Sequence, residues 1–451
     1  MKFLFSVLLV VFSLSAFAQD AVIAVGDAEQ EKDKLVIDSS ELSSLSNAQK
    51  ALANELLDLI RNNFVFYKHK FNTVLYNKTA NSYTKENLTQ WKEDGINFFI
   101  SSSIVAASGG IEARFKLWNI HEGKTILNES ITVNTNDLRS RGHEISDKFY
   151  RAMTGKPSIF KSKIVFISDR TTRTRDIEKE LYIMDFDGRR VEKLTTFNSI
   201  VLSPSISPDN KKLLFSVIED KEALSSRNKK KLIKNINLKM YDLQTKQMTT
   251  VSSKPGLNSG ATYSRNPNII YLTLTSSGNA DIYEMNLSTG AMRKVTSHYG
   301  EDVDPSITAD GSMMTFLSNR PGRAHIYTMD PSQTEKDVKR ISFVGKFNAT
   351  PRFSPDGKEI VFASWVDNGF DIYKIGADGQ NLVRLTKDFG SNEDPIFSPD
   401  GEFIVFTSKK MITPRKAGQD LYIMNREGEI LGQLTQNFGK CFSPQFTNLL
   451  N

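Results

Sequence analysis

Cysteine is nearly absent from this sequence: Cys441 is the only one among 451 residues. No disulfide can therefore form within the chain. Large exported proteins of eukaryotes more often carry several disulfides, whereas many proteins of the bacterial periplasm fold without them. If the chain is exported, its cysteine content favours the periplasm of a Gram-negative bacterium.

Motifs for catalysis and metal binding are also missing. The sequence has no G-x-S-x-G nucleophile elbow, no phosphate-binding glycine-rich loop and no H-E-x-x-H pair. The five histidines are scattered at spacings that suit no metal cluster. We therefore predict no enzyme activity, no cofactor and no metal site. Only His298 falls near the central opening predicted below, and we keep it as a further binding candidate.

Long apolar runs are confined to the first residues. The stretch "MKFLFSVLLVVFSLSAFAQD" combines Lys2, an apolar segment from Phe3 to Val11 and the small-residue site Ala16-Phe17-Ala18. This order is that of a secretory signal peptide. No later stretch approaches the roughly 18 to 20 apolar residues that a membrane-spanning helix needs. We predict a signal peptide over residues 1–18 and a soluble exported protein that begins near Gln19.

The excess of positive charge is small. Lysine and arginine number 58 and aspartate and glutamate 52, which gives a formal net charge of +6 and a pI near 9.0. A basic protein can bind nucleic acid. Because an exported protein rarely meets nucleic acid, we expect no such partner and attribute the excess to ordinary solubility.

Most of the chain is a repeat. An "SPDG"-like turn, an aromatic doublet around a tyrosine and an "LT"-like dipeptide recur in fixed order, with 44 to 57 residues between successive closing positions. These closing positions are Thr195, Ser252, Thr296, Ser342, Thr386 and Thr435. Such a period is that of a four-stranded propeller blade. We predict a mainly β fold, with a six-bladed β-propeller over residues 157–451.

The chain ends predict how the ring closes. The first unit begins at "SKIVFIS" (162–168) and lacks its own innermost strand, whereas the last residues, "SPQFTN" (443–448), resemble an innermost strand without its turn. Pairing the two would leave no open sheet edge. We predict that this C-terminal strand completes the first blade.

Residues 19–156 read as a separate small α/β domain. Leu45, Ala48, Leu52, Leu56 and Ile60 form one helical stripe. Two strand-like segments follow, "INFFISSSIV" (96–105) and "IEARFKLWNI" (111–120). Asn136 is the predicted cap of a last helix, which Gly155 and Pro157 end.

Strand parity divides the predicted ring into two faces. The "SPDG" and "ADGQ" turns fall on one, which we name the turn face. Loops between second and third strands and crossovers between blades fall on the other, the mouth face.

Long loops rich in basic residues occur on the mouth face in neighbouring blades 1, 2 and 6, at residues 169–180, 219–235 and 409–419. Acidic residues nearer the axis are Asp302, Asp304, Glu393 and Asp394. Ordinary loop polarity explains this acidic cluster, and a calcium ion bound by its oxygens is the alternative.

Together these features resemble the TolB family. The shared parts are the export signal, the small α/β domain, "FKLWNI" (115–120), "HEISDKFYRAMTG" (143–155), "KIVFIS" (163–168) and repeats with "SPDG" and "DIY". The resemblance implies a non-enzymatic periplasmic adaptor of the Tol–Pal system, which supports outer-membrane integrity, constriction during cell division and protein import. One departure is Ser264-Arg265-Asn266-Pro267, which replaces the turn motif in the third blade.

The resemblance also implies partners. Carried over by position, the residues at the mouth that would bind the lipoprotein Pal are Asn258, Ser259, Asp302, Val303, Asp304, Asn348, Glu393 and Asp394. The segment that would bind TolA is Gln19, Asp20, Ala21, Val22, Ile23, Ala24 and Val25. We expect a monomer, associated peripherally with the outer membrane through Pal.

The alternative function is an exported propeller that binds or cleaves acidic glycans, because a propeller lyase can place its acid and base at the ring centre.

Overall fold

The computed structural model describes residues 31–38, 42–74, 85–172, 177–224, 230–413 and 416–449. The predicted signal peptide (1–18) and TolA-binding segment (19–25) lie outside these residues. The described chain forms one mixed sheet with helices and six four-stranded sheets. This confirms the predicted six-bladed propeller preceded by a small α/β domain. No helix among the described residues is long and apolar enough to cross a bilayer.

The first domain is a five-stranded sheet with three described helices. Its elements are β1 Asp33–Ile37, α1 Asn47–Phe66, β2 Phe71–Val74, α2 Lys85–Glu93, β3 Phe98–Ala107, β4 Gly110–Asn119, β5 Lys124–Val133 and α3 Leu138–Thr154. The strand order is β2-β1-β3-β4-β5. β1 pairs in parallel with β2 and β3, and the other pairs are antiparallel.

Each of the two long helices has a recognisable cap at one end, α1 at its start and α3 at its end. Ser46 and Gln49 form a capping box at the start of α1. Within the predicted stripe, Ala48 is exposed and the remaining residues are buried: Leu45, Leu52, Leu56 and Ile60. The predicted cap of α3 is wrong by one residue, because Asp137, not Asn136, is the N-cap. Gly155 ends α3 with a left-handed φ of 71°, a conformation that glycine adopts readily.

The propeller blades share one antiparallel order, with the innermost strand at the axis. Blade 1 contains β6 Lys163–Ser168, β7 Glu180–Asp185 and β8 Glu192–Lys193. Blade 2 contains β9 Val201–Ile206, β10 Lys212–Leu224, β11 Lys230–Asp242 and β12 Met248–Ser252. Blade 3 contains β13 Asn258–Tyr263, β14 Ile269–Leu274, β15 Asp281–Asn286 and β16 Met292–Lys294.

Blades 4 to 6 complete the ring. Blade 4 contains β17 Asp302–Ile307, β18 Met314–Ser318, β19 His325–Asp330 and β20 Lys336–Arg340. Blade 5 contains β21 Asn348–Phe353, β22 Glu359–Val366, β23 Gly369–Gly376 and β24 Val383–Arg384. Blade 6 contains β25 Ser391–Phe397, β26 Phe403–Thr413, β27 Lys416–Asn425 and β28 Ile430–Gln433.

The last strand, β29 Cys441–Phe446, closes the ring. It pairs antiparallel with β6 and supplies the innermost strand of blade 1. The predicted closure by the C-terminal strand is confirmed. Cys441 is fully buried in this strand, and burial raises the pKa of its thiol to about 12, so it is an unreactive packing residue.

The first domain docks on the turn face of the ring, at blades 6 and 1. Tyr67 donates a hydrogen bond to Asp400 Oδ2 at 2.5 Å, and Lys70 Nζ lies 2.6 Å from Glu402 Oε1. Tyr67 also packs edge-on against Phe403, with 4.9 Å between ring centroids. These contacts place the first domain on the face opposite the mouth.

Candidate functional site

The mouth is shaped by one irregularity that recurs in every blade. Each innermost strand loses register with its neighbour at a bulge. The first bulge residues all have positive φ, between 45° and 60°: Ser203, Gly260, Asp304, Thr350, Asp394 and Ser443. Five of the six precede a proline, which a bulge tolerates because its backbone N–H is not needed in the ladder.

The six bulges surround an axial cavity of about 400 Å³. All six of the residues with positive φ line it. The sequence reasoning missed this ring. Its signal was a proline four residues before the second residue of the turn motif, as in "TPRFSPD" and "DPIFSPD".

Charge in this cavity comes from two carboxylates and one guanidinium among the described lining residues. Arg352 Nη2 lies 2.8 Å from Asp304 Oδ1. Asp394 Oδ2 instead accepts hydrogen bonds from the backbone N–H and hydroxyl of Ser443, both at 3.0 Å. Burial raises the pKa of Asp394 more than these bonds lower it. The centre of the mouth therefore favours a partner group that brings a proton donor or a positive charge.

Three of the eight candidate mouth residues are fully buried: Asn258, Asp302 and Asn348. Asn258 Oδ1 accepts a hydrogen bond of 2.6 Å from Ser252 Oγ, and Asn348 Nδ2 donates one of 3.0 Å to Ser342 Oγ. Ser252 and Ser342 close the preceding blades. These asparagines thus tie the end of one blade to the start of the next, and their side chains position the crossovers.

Asp302 holds a buried ion-pair network. Arg320 lies 2.8 Å from Asp302 through Nη2 and 2.9 Å from Glu335 through Nη1. Burial opposes ionisation of Glu335, but its hydrogen bonds with Arg320 outweigh burial and hold its pKa below the ordinary value. The sequence reasoning found neither Arg320 nor Glu335. Both fix the loops beside the opening.

The remaining candidates have more accessible positions. Ser259, Val303, Asp304 and Asp394 line the axial cavity together. Glu393 faces an adjoining groove between blades 5 and 6. Burial and the charge of Asp394 raise the pKa of Glu393. The structure thus brings four candidates into one cavity and places the fifth beside it.

An aromatic rim borders the mouth at blades 4 and 5. Phe347 stacks on Trp365 with centroids 5.8 Å apart, and both rings meet Phe370 edge-on, at 5.3 and 5.1 Å. Phe343 is 73% exposed. The sequence reasoning missed this rim, although "SFVGKF" (342–347) placed two phenylalanines in one crossover. Exposed aromatic residues that cluster in this way are typical of protein–protein interfaces.

Tyr299 extends the rim and is 84% exposed. Its ring lies 4.0 Å from that of His298. His298 Nδ1 accepts a hydrogen bond of 3.0 Å from the backbone of Gly300. His298 therefore shapes its loop, and Tyr299 is the exposed side chain there.

A possible metal cluster lies away from the mouth, between α3 and blade 1. His143, Asp185 and Asp187 bring three ligand atoms within 4.8 Å of one another. Arg139 already pairs with Asp187 at 2.6 Å, and Arg190 with Asp185 at 2.7 Å. Burial lowers the pKa of His143 to about 4. These residues form an ion-pair joint between the two domains, because the arginines satisfy the carboxylates.

Comparison with protein families and sequences gives a consistent result. The family described as TolB beta propeller domain matches residues 150–410. "Protein TolB homolog" of Chlorobium luteolum is 30% identical over 354 residues, which cover 78% of this chain and 75% of that protein. "Protein TolB homolog" of Chlorobium chlorochromatii is 30% identical over 308 residues, 67% of this chain and 65% of that protein.

Comparison with solved structures agrees on the fold. The crystal structure of TolB from Acinetobacter baumannii aligns over 93% of this chain and 97% of its own, with a TM-score of 0.72 and 23% sequence identity. The family match spans more than half of the sequence, and both domains align. The chain belongs to the TolB family.

Proposed function

We propose that this chain is a non-enzymatic adaptor of the Tol–Pal system in the periplasm of a Gram-negative bacterium. The mouth binds the lipoprotein Pal, which holds the protein at the outer membrane, and residues 19–25 bind TolA. In this role the protein supports outer-membrane integrity, constriction during cell division and protein import. Membership of the TolB family is the starting point for each of these statements.

One observation carries the proposal: the mouth combines an acidic centre with an exposed aromatic rim. Asp304 and Asp394 lie in the axial cavity, and Phe347, Phe343 and Tyr299 are exposed in crossovers between blades on the same face. Aromatic residues are enriched at protein interfaces, and charged groups there fix the orientation of the partner. Membership of the TolB family supports binding over catalysis.

We divide the precursor into a signal peptide (1–18), an α/β domain (19–156) and a propeller (157–451). The end of α3 at Thr154 and the start of β6 at Lys163 support the second boundary. The first domain covers turns of blades 6 and 1, so the mouth face is left to a partner.

A pull-down from an envelope extract tests Pal binding. We expect the wild-type chain to recover a Pal-type lipoprotein, and Asp304→Lys, Glu393→Lys and Phe347→Ala to lose it. Each lysine reverses the charge at the mouth, and the alanine removes the stacked ring. Glu427→Lys is the matched control, because Glu427 is an exposed acid on the turn face of blade 6.

Two results would overturn this assignment. Recovery of the lipoprotein by all three mouth variants would remove the mouth from the interface. Binding or turnover of an acidic glycan, with no lipoprotein recovered, would favour the alternative function. For TolA, deletion of residues 19–25 should abolish capture of TolA and preserve capture of Pal, whereas equal capture of TolA would exclude that segment.

A further inference from the structure

The propeller has a second cavity on its axis, at the end that opens on the turn face. This turn-face cavity measures about 420 Å³, within the roughly 300–1,000 Å³ that is usual for small-molecule sites. Ser205, Thr262 and Gln445 line both this cavity and the axial cavity of the mouth, so the two follow one another along the axis. Every described residue that lines the turn-face cavity belongs to the propeller. The first domain, which docks on the same face, contributes no described residue to its wall.

The wall of the turn-face cavity consists mainly of two rings that repeat once in each blade. The strand-end ring is formed by the last residue of every innermost strand: Ile206, Tyr263, Ile307, Phe353, Phe397 and Phe446. The turn ring lies two positions further along the chain in each blade: Pro208, Arg265, Ala309, Pro355, Pro399 and Asn448. Most of these side chains are apolar, so the cavity favours an apolar ligand.

Blade 3 brings a charge and an unpaired hydroxyl to this wall. Arg265 is the only charged residue among the described residues that line the cavity. It replaces the proline that the turn motifs of blades 2, 5 and 6 have at this position. Tyr263, two residues earlier, is only 7% exposed, and its hydroxyl has no hydrogen-bond partner in the described part of the chain. A cation and an unsatisfied donor therefore come from the same side of the cavity.

The guanidinium of Arg265 is exposed and forms no ion pair with a described carboxylate. Glu284 and Asp310 line a neighbouring groove together with Arg265. Glu284 pairs instead with Arg293 at 2.6 Å, and Asp310 Oδ1 accepts a hydrogen bond of 2.6 Å from Thr308 in its own turn. Arg265 can therefore pair with an anionic group of a ligand, for which a guanidinium is well suited.

Hydroxyl groups beside the turn ring already hold the turns together. Ser264 Oγ donates a hydrogen bond of 3.0 Å to the carbonyl oxygen of Asn266, and Ser354 Oγ donates one of 2.6 Å to Asp356 Oδ1. A peptide in this cavity would bring backbone N–H and C=O groups that need partners. An alkyl chain needs none, and removal of its surface from water favours binding. The wall therefore favours an alkyl chain over a peptide.

We propose that the turn-face cavity binds a long-chain fatty acid. The alkyl chain lies along the axis between the two rings, and the carboxylate lies at blade 3, beside Arg265. This site is separate from the mouth, and it does not depend on capture of a lipoprotein there.

Displacement of a fluorescent fatty acid, cis-parinarate, tests binding at neutral pH. The protein is the chain from residue 19, which keeps every described residue. We expect cis-parinarate to fluoresce more strongly with the protein, and dodecanoate to displace it at about tenfold lower concentration than dodecanol. The charge-assisted hydrogen bond between carboxylate and guanidinium accounts for this preference of about tenfold.

Exchange of one arginine tests the role of the charge. Arg265→Leu should abolish the preference for dodecanoate and leave displacement by dodecanol unchanged, because the apolar wall remains. Arg189→Leu is the matched control, since Arg189 is an exposed arginine in the turn between β7 and β8, on the same face but outside the cavity. It should keep the preference of the wild type.

Filling the cavity tests its location. Ala309 belongs to the turn ring and is exposed, so Ala309→Trp should fold, which thermal unfolding checks. The indole should occupy the cavity and abolish binding of cis-parinarate. Gln380→Trp is the matched control, since Gln380 is exposed in the turn between β23 and β24, on the same face but outside the cavity. It should bind cis-parinarate as the wild type does.

Three results would overturn the proposal. The first is no increase in cis-parinarate fluorescence with the wild-type chain. The second is equal binding of cis-parinarate by Ala309→Trp and wild type. The third is a preference for dodecanoate that is absent from the wild type or persists in Arg265→Leu. None of these measurements uses a lipoprotein, so their failure is distinguishable from failure of binding at the mouth.

Discussion

Glu402→Gln removes the charge that joins the first domain to blade 6. Lys70 Nζ lies 2.6 Å from Glu402 Oε1, and His69 Nε2 lies 3.3 Å from Oε2. Burial alone would raise the pKa of Glu402, but its hydrogen bonds with His69 and Lys70 outweigh burial and lower the pKa from 4.5 to about 2. Lys70 and His69 therefore stabilise the ionised carboxylate of Glu402 in the folded protein.

The size of the effect follows from that shift. A pKa lowered from 4.5 to about 2 corresponds to about 3 kcal/mol of preference for the charged form. The side chain of Glu402 remains 22% exposed, so solvent screens part of this interaction. We expect Glu402→Gln to reduce the free energy of unfolding by about 1–2 kcal/mol at neutral pH.

The dependence on pH has a definite sign. Because the folded-state pKa of Glu402 lies below its ordinary value, the stabilisation is complete above pH 4.5 and is lost as the pH falls toward 2. We expect the difference in unfolding free energy between wild type and Glu402→Gln to shrink on acidification. Urea unfolding of both proteins, at neutral pH and down to about pH 3, measures this difference. A double-mutant cycle with Lys70→Met measures the coupling between the two side chains.

Glu427→Gln is the matched control for this measurement, because Glu427 is an exposed acid in the same blade. It should change the unfolding free energy by less than about 0.5 kcal/mol. A Glu402→Gln variant as stable as wild type at neutral pH, or a gap of constant size down to acid pH, would refute the reasoning. A constant gap would mean that packing of the glutamate side chain, not its charge, contributes the stability.

Two further predictions concern the ring itself. Deletion of residues 441–451 removes β29 and leaves an unpaired edge on β6. We therefore expect a lower urea midpoint of unfolding. An unchanged midpoint would contradict closure of the ring by this strand. Arg320→Met leaves the fully buried carboxylate of Asp302 without its cation, and we expect a loss of about 3–5 kcal/mol. Adding Asp302→Asn should restore part of that loss in thermal unfolding; equal melting temperatures for the single and double variants would rule out the buried charge as its cause.

The fold was predictable because its signals are local. An Asp-Gly turn followed by alternating β-branched and aromatic residues specifies one hairpin without reference to the rest of the chain. Gly357, in the turn of blade 5, has the positive φ of 69° that such a turn requires. Repetition of this unit then fixed the number of blades. Local signals also have a limited precision: Asn136 and Asp137 are both good helix caps, and only the structure selects Asp137.

The candidate site was less predictable, because side-chain direction depends on neighbouring strands. Asn348 and Asp302 looked like accessible polar residues in crossovers, yet both are fully buried. The partner of Asn348 is Ser342, which follows the last strand of the preceding blade. The partner of Asp302 is Arg320, which lies in the loop between β18 and β19 of the same blade. Contacts across the domains are still less visible in the sequence, since Tyr67 and Asp400 are separated by 333 residues.

The repeated turn motif is both scaffold and contact surface, because its aspartate has two oxygens with separate uses. In blades 5 and 6, Oδ1 of Asp356 and of Asp400 binds the serine two residues earlier and the backbone N–H two residues later. This pattern closes the turn and leaves Oδ2 pointing away from it. Asp356 Oδ2 lies 3.7 Å from Arg426 of the next blade, whereas Asp400 Oδ2 accepts the hydrogen bond of Tyr67. The same four residues can therefore recur for folding reasons in several blades, while the neighbour of one oxygen decides whether a given copy joins two blades or two domains.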